Sequence, residues 1–245
     1  GSVFNGYWGF VKKGIWKIAE NLTNINLSLG VKINLNSSII EVDTQSKLIS
    51  YTRDQNKIEL NYDHLIFATD PVTPSKLIKD FKQDIELDEI GTSGKVTAFF
   101  RNPVIWKDSN NYPDSFRFIF SNSDLGEFEK SSQIAYKNHK DYEPGYIQIY
   151  PEGAAQRKMG NDEGIEKLIL FSKNFSFNKK SKDLVDCKQD ILNLLSKYIV
   201  NVDDLIETKF LTPADLKETF YFPKGNIDHM TCLLYTSPSP RDNPA

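Results

Sequence analysis

The stretch Asp63-His64-Leu65-Ile66-Phe67-Ala68-Thr69-Asp70-Pro71 decides how this chain is read. Residues 65–68 form an uninterrupted apolar run that ends at a polar turn closed by proline. A run so short and so apolar, with a turn behind it, predicts a strand buried on both faces of a sheet. Its carboxyl end emerges at Thr69-Asp70, and in layered α/β folds that edge is where ligands bind. The plainer interpretation is a core strand followed by an ordinary loop.

Working upstream, Lys57 to Leu60 and Lys47 to Thr52 read as two short strands around Arg53-Asp54-Gln55-Asn56, a hairpin signal. Ile39-Ile40-Glu41-Val42 is a further strand, and Val31-Lys32-Ile33-Asn34-Leu35 alternates strictly, as a half-buried strand does. Before it, Ile15, Ile18, Ala19 and Leu22 recur with helical spacing, so a helix with one apolar stripe runs from Lys13 and stops near Gly30. Residues 1–12 are rich in glycine and aromatics and read as strand or loop.

Downstream, Thr73-Pro74 supplies a cap and a first-turn proline for a second helix, with Leu77, Ile78 and Phe81 as its apolar face. Residues 95–101, 116–121, 146–150 and 167–173 read as strands, and residues 124–142 as a charged surface helix. Residues 151–164, with their glycines, read as a long loop. Residues 181–198 form a strong amphipathic helix pattern, on whose stripe Cys187 reads as a small buried residue rather than a nucleophile. Residues 204–211 read as a strand. Thr212-Pro213-Ala214-Asp215 then has the form of a capping box that starts a short helix ending near Phe220.

The whole chain has 245 residues, 39% of them hydrophobic and 26% charged, with net charge -3. Such a chain can build a packed core. With a pI near 5.7, a general nucleic-acid-binding role is disfavoured. No apolar run is long enough to span a membrane, which still admits peripheral contact with one. Residues 1–5 lack the pattern of a signal peptide, leaving the cytoplasm as the default compartment. The two cysteines and three histidines show no metal-ligand spacing. No dinucleotide glycine fingerprint, P-loop, zinc-protease or serine-elbow motif occurs. Acid pairs such as Asp162-Glu163 read as solvated turns.

Several of these segments resemble the FAD-dependent oxidoreductases of the phytoene desaturase and amine oxidase superfamily. The helix Lys13-Gly14-Ile15-Trp16-Lys17-Ile18-Ala19-Glu20-Asn21-Leu22 is similar to that family's Gly-Gly-Met-x-x-Leu-x-x-x-Leu helix, with Lys13 and Ile15 as departures. Gly30-Val31-Lys32-Ile33 with Ile39 and Val42 resembles its "G-V-x-I … V-x-x-I" pair, and residues 63–71 look like its "A-D-x-V-I-x-A-x-D-P" strand. Leu211 to Phe220 and Gly225-Asn226-Ile227-Asp228-His229 look like "L-T-P-x-D-L-E-x-x-F … G-G-N-I-F-H-G". That pattern marks the branch containing pyridine nucleotide-disulphide oxidoreductase domain-containing protein 2 and carotenoid ketolase-like flavoproteins. Lys224, Asp228 and Met230 depart from it.

The resemblance implies an α/β (α+β) architecture. A partial FAD-binding sheet would sit beside a substrate domain with a mostly antiparallel sheet and flanking helices. Residues 1–12 would end a preceding substrate-domain segment, 13–72 belong to the FAD-binding part, and 73–231 to the substrate domain, returning towards FAD near 212–231. The implied cofactor is FAD, contacted by Ile39 and by Ala68, Thr69, Asp70 and Pro71. His229 is a candidate near the flavin, and Trp8 and Phe10 are candidates for lining a substrate cavity; the plainer role for each is structural. The implied reaction passes hydride from an apolar, isoprenoid- or carotenoid-like substrate to the flavin. The alternative is a non-catalytic binding module on the same fold, as in Rab GDP-dissociation inhibitors.

Cys232-Leu233-Leu234-Tyr235-Thr236-Ser237-Pro238-Ser239-Pro240-Arg241-Asp242 resembles the translated frame of a transposase-type sequencing adaptor. On that reading residues 232–245 form an unstructured tail and the natural sequence beyond Thr231 is cut off; the flavoprotein resemblance in turn implies a fragment that lacks the upstream glycine fingerprint and is inactive alone.

Overall fold

In the computed structural model, the described residues are 2–4, 7–70, 72–81, 90–108, 112–120, 124, 126, 146–172, 175 and 187–227. Pro71, His229, the segment 127–142 expected to continue a charged helix, Ser181 and the whole 232–245 tail lie outside them.

The chain opens with a hairpin of β1 (Ser2–Phe4) and β2 (Tyr7–Gly9), followed by helix α1 (Trp16–Ser28). A second antiparallel sheet comes next, formed by β3 (Ser37–Asp43), β4 (Leu48–Arg53) and β5 (Asn56–Asn61) in sequential order. The β4–β5 turn is made by Asp54 and Gln55, both with positive φ (49° and 66°). That is the geometry a two-residue hairpin needs for its twist to match the strands. Helix α2 (Val72–Leu77) follows, and Lys79 donates its backbone N–H to Val42 O at 3.0 Å, tying the end of α2 to β3.

The larger sheet is five-stranded and antiparallel throughout. Its strands are β6 (Gly94–Phe100), β7 (Arg117–Phe120), β8 (Tyr146–Tyr150), β9 (Glu166–Ser172) and β10 (Leu205–Leu211), in the order β10-β6-β9-β8-β7. Strands β6 and β9 alternate buried residues with half-buried or exposed ones along their length. One face therefore carries Val96, Ala98, Phe100, Ile147, Ile149, Leu168 and Leu170. These pack against Ile191, Leu194 and Leu195 of helix α4 (Cys187–Leu195) and against Ile199. Each large apolar side chain so buried contributes about 1.5–3 kcal/mol. The other face bears Lys95, Thr97, Phe118, Gln148, Tyr150 and Ile169, which are only partly covered.

Helix α3 (Glu152–Lys158) connects β8 to β9, and helix α5 (Pro213–Phe220) follows β10. At α5 the expected capping box forms: Thr212 Oγ1 accepts from the Asp215 N–H at 3.2 Å, and Asp215 Oδ2 accepts from the Thr212 N–H at 2.9 Å. Beyond α5 a short 3₁₀ turn (Pro223–Gly225) brings Gly225 so close to Pro213 that a Cβ would overlap the Pro213 carbonyl. Gly225 also has φ +65°, which a side chain would strain.

The fold is thus α+β, with helices flanking antiparallel sheets, as expected. Several local expectations are corrected. Residues 65–68 are not a strand: they run without regular structure, and Ile66 is 88% exposed. A strand needs a neighbour to accept its ladder hydrogen bonds, and no described strand pairs with these residues. The same reason applies to residues 31–35, which alternate in sequence but form no strand and leave Leu35 74% exposed. The stripe of α1 is present but bare, for no residue of that helix is buried. Residues 151–164 are not one long loop, because α3 occupies their first half.

Candidate functional site

Two clefts of ligand size open on the described surface. The first is a cavity of about 780 Å³ between the small sheet and the end of α5. Ser38 and Ile39 of β3 form one wall. Ala68, Thr69 and Asp70, on the irregular segment leading to α2, form the floor with Thr73 and Leu77. Phe220, Tyr221, Phe222 and Pro223 close the far side.

Local chemistry fixes this arrangement. Asp70, rather than Thr73, caps α2: its Oδ1 accepts from the backbone N–H groups of Val72 at 2.8 Å and Thr73 at 3.0 Å, and its Oδ2 accepts from the Thr73 hydroxyl at 2.5 Å. A carboxylate in this place satisfies amide groups that a helix start leaves open. At the other wall, Tyr221 ends α5 in a left-handed conformation (φ 59°, ψ 24°) and donates its N–H to Leu216 O. That turn leaves the Tyr221 ring 83% exposed beside Phe220 and Phe222, whose rings lie 6.4 Å apart.

The structure therefore gathers Ile39, Ala68, Thr69 and Asp70 into one cleft, while Pro71 and His229 lie outside the described residues. Phe220 to Pro223 were not among the residues singled out from the sequence. The signal was an aromatic triplet, Phe-Tyr-Phe, followed by proline immediately after a capped helix.

Tested against FAD, the fit is partial. Exposed aromatic rings, Ile39 and Ala68 suit a flat, uncharged ring system, and the volume is in the range of ligand pockets. Among the described residues no cationic side chain lines the cleft, and Asp70 already occupies the start of α2, so these residues offer the pyrophosphate no seat.

The second cleft, of about 630 Å³, lies on the open face of the large sheet. Phe10, Val11 and Ile15 cover it from one side, and Phe116, Phe118, Tyr150 and Ile169 form its base, with Lys95, Gln148 and Glu152 at its margins. Phe10 and Gly9 are among the residues lining this cleft, and Trp8 precedes Gly9 on β2. The covering segment is pinned by Gln156. Its amide accepts from the Lys13 N–H at 2.7 Å and donates to Val11 O at 2.9 Å and to Glu152 Oε1 at 2.7 Å. Phe116 meets Phe118 edge-on at 4.6 Å and Tyr150 at 4.6 Å, so the base is a continuous aromatic surface. No cluster of potential metal ligands occurs among the described residues, and no described helix is long and apolar enough to cross a membrane.

No protein-family model matches the chain, and no curated protein does. Among solved structures, the chain is similar to PF1083 protein from Pyrococcus furiosus, with 12% sequence identity and a TM-score of 0.49. The similarity covers 81% of this chain and 43% of that protein, so the chain spans less than half of that protein's length. The chain is thus an α+β protein with two ligand-sized clefts, one beside the three-stranded sheet and one on the five-stranded sheet.

Proposed function

We propose that this chain is part of an FAD-dependent oxidoreductase. Its smaller-sheet cleft would border the flat portion of the cofactor, and its large-sheet cleft would take an apolar substrate. The observation that carries this reading is the convergence of Ile39, Ala68, Thr69 and Asp70, chosen from a flavoprotein resemblance, on one cleft. Bound there, a flavin cofactor would supply the hydride acceptor, and the chain's own residues would hold and orient. Ile39 and Ala68 offer apolar contact and backbone groups. Phe220 and Tyr221 offer ring faces. Asp70 keeps α2 in place beneath them and is a positioning residue.

The test is the visible absorption spectrum of the protein purified from its complete gene, alone and as Ala68→Trp, which fills the cleft floor. Bound flavin in the parent and its loss in the folded variant support the reading. A folded parent that carries no flavin and takes none up on titration defeats it, and would favour a binding module that uses the same cleft without redox chemistry.

A further inference from the structure

We infer that the large-sheet cleft takes a long apolar molecule bearing one carboxylate, with Lys95 as the residue that receives it. Among the described residues the cleft's lining is mostly apolar and holds a single cation, Lys95. Each of the other cationic side chains on the five strands has an anion. Arg117 Nε lies 3.0 Å from Asp108, Lys167 pairs with Glu163, and Lys209 lies 3.9 Å from Glu207. Lys95 has no anionic partner among the described residues. Glu152 also borders the cleft, but its Oε1 already accepts from Gln156.

Strand register sets the shape of the ligand. Lys95 lies opposite Phe171, Phe171 opposite Gln148, and Gln148 opposite Phe118. The row crosses three strand gaps, roughly 14 Å at about 4.8 Å each. An extended chain lying along it would set its apolar body on Phe118, Ile169 and Phe10 and its head at Lys95. Lys95 is exposed, so the head would keep part of its hydration. The lysine then acts mainly in selection between charged and neutral heads.

That this ligand is a substrate rests on the flavoprotein reading; its binding does not. The experiment therefore omits flavin. The full 245-residue chain is titrated with cis-parinaric acid and, separately, with the alcohol of the same chain, following their fluorescence. The acid is expected to bind more tightly than the alcohol, with a preference that shrinks as salt rises. Lys95→Met should weaken the acid about three- to fivefold and leave the alcohol unchanged, the size expected of a partly exposed ion pair. Lys95→Glu should weaken the acid further, and Lys209→Met, on a lysine outside the cleft, should change neither. The proposal is overturned if neither probe binds, if acid and alcohol bind equally, or if a folded Lys95→Met keeps the preference. If this chain binds the acid while the protein from the complete gene takes up no flavin, this inference stands and the flavoprotein one falls.

Discussion

Arg157 on α3 and Glu166 at the start of β9 form an ion pair, Nη2 to Oε2 at 2.5 Å, with the glutamate side chain only 1% exposed. Glu166 Oε1 accepts from the Ala154 N–H at 3.1 Å as well. One buried carboxylate thus fastens the helix under the second cleft to the large sheet. Gly153 is part of the same fit, because a Cβ there would meet Lys167 N at 2.8 Å and overlap the Glu166 carboxylate. Removing the arginine would strand a buried charge. Arg157→Ala is expected to cost about 2–3 kcal/mol, below the value for a fully buried pair because Arg157 is partly exposed. Gly153→Ala should cost about 1–3 kcal/mol through overpacking. Urea denaturation of the two variants measures both; an unchanged midpoint for Arg157→Ala would refute the role given to this pair.

Thr212→Ala removes one half of the box that starts α5. The threonine is fully buried and its hydroxyl accepts from the Asp215 N–H. The expected loss is about 1–2 kcal/mol. Because α5 leads directly into Phe220 to Pro223, the same variant should weaken any ligand of the first cleft while leaving the second cleft's ligand affinity unchanged. Isothermal titration with one ligand for each cleft separates the two effects.

Features legible in the sequence are those set by neighbours along the chain. The Thr212 box, the Asp54-Gln55 turn and the alternation of β6 and β9 are each decided within a few residues. Residues 31–35 and 65–68 carry a strand pattern, but a ladder needs a partner that pattern cannot supply. Helix α3 is hidden in the sequence because Gly153 looks like a loop residue; only the distant Glu166 explains why that helix needs a glycine there. The first cleft was half legible. Ile39 and Ala68 to Asp70 came from a motif resemblance, whereas the Phe220–Pro223 wall reaches them only through the tertiary fold.

Asp114 and Lys158 make a pH-dependent contact across the edge of the second cleft's scaffold. Lys158 Nζ lies 2.7 Å from Asp114 Oδ2, and this hydrogen bond holds the aspartate below its ordinary carboxylate range. A group whose folded pKa is depressed stabilises the fold above its unfolded pKa, about 3.9. That contribution is lost as pH falls through the lower folded value. With the lysine largely exposed, the contribution is about 0.5 kcal/mol. Lys158→Met should therefore lower the thermal midpoint slightly at neutral pH, and the gap between variant and parent should close as the pH drops below about 4. A gap that persists undiminished in acid would mean the lysine acts by packing instead.

The stripe on α1 makes the strongest prediction about behaviour in solution. Ile15, Ile18, Leu22, Ile25 and Leu29 follow one another at spacings of three and four residues, and they are 62%, 46%, 55%, 54% and 75% exposed. A contiguous apolar strip of this kind on a helix is an association surface. Leu35 and Ile66, at 74% and 88% exposed, add to the uncovered apolar area. The chain is expected to self-associate with rising concentration in sedimentation velocity. The double variant Leu22→Lys with Ile25→Lys should shift it towards the monomer. Because neither side chain is buried, the variant's denaturation midpoint should stay within about 0.5 kcal/mol of the parent's. A parent that stays monomeric at all concentrations would show that the stripe drives no association. A variant that loses the fold would show that α1 contributes packing its exposure does not reveal.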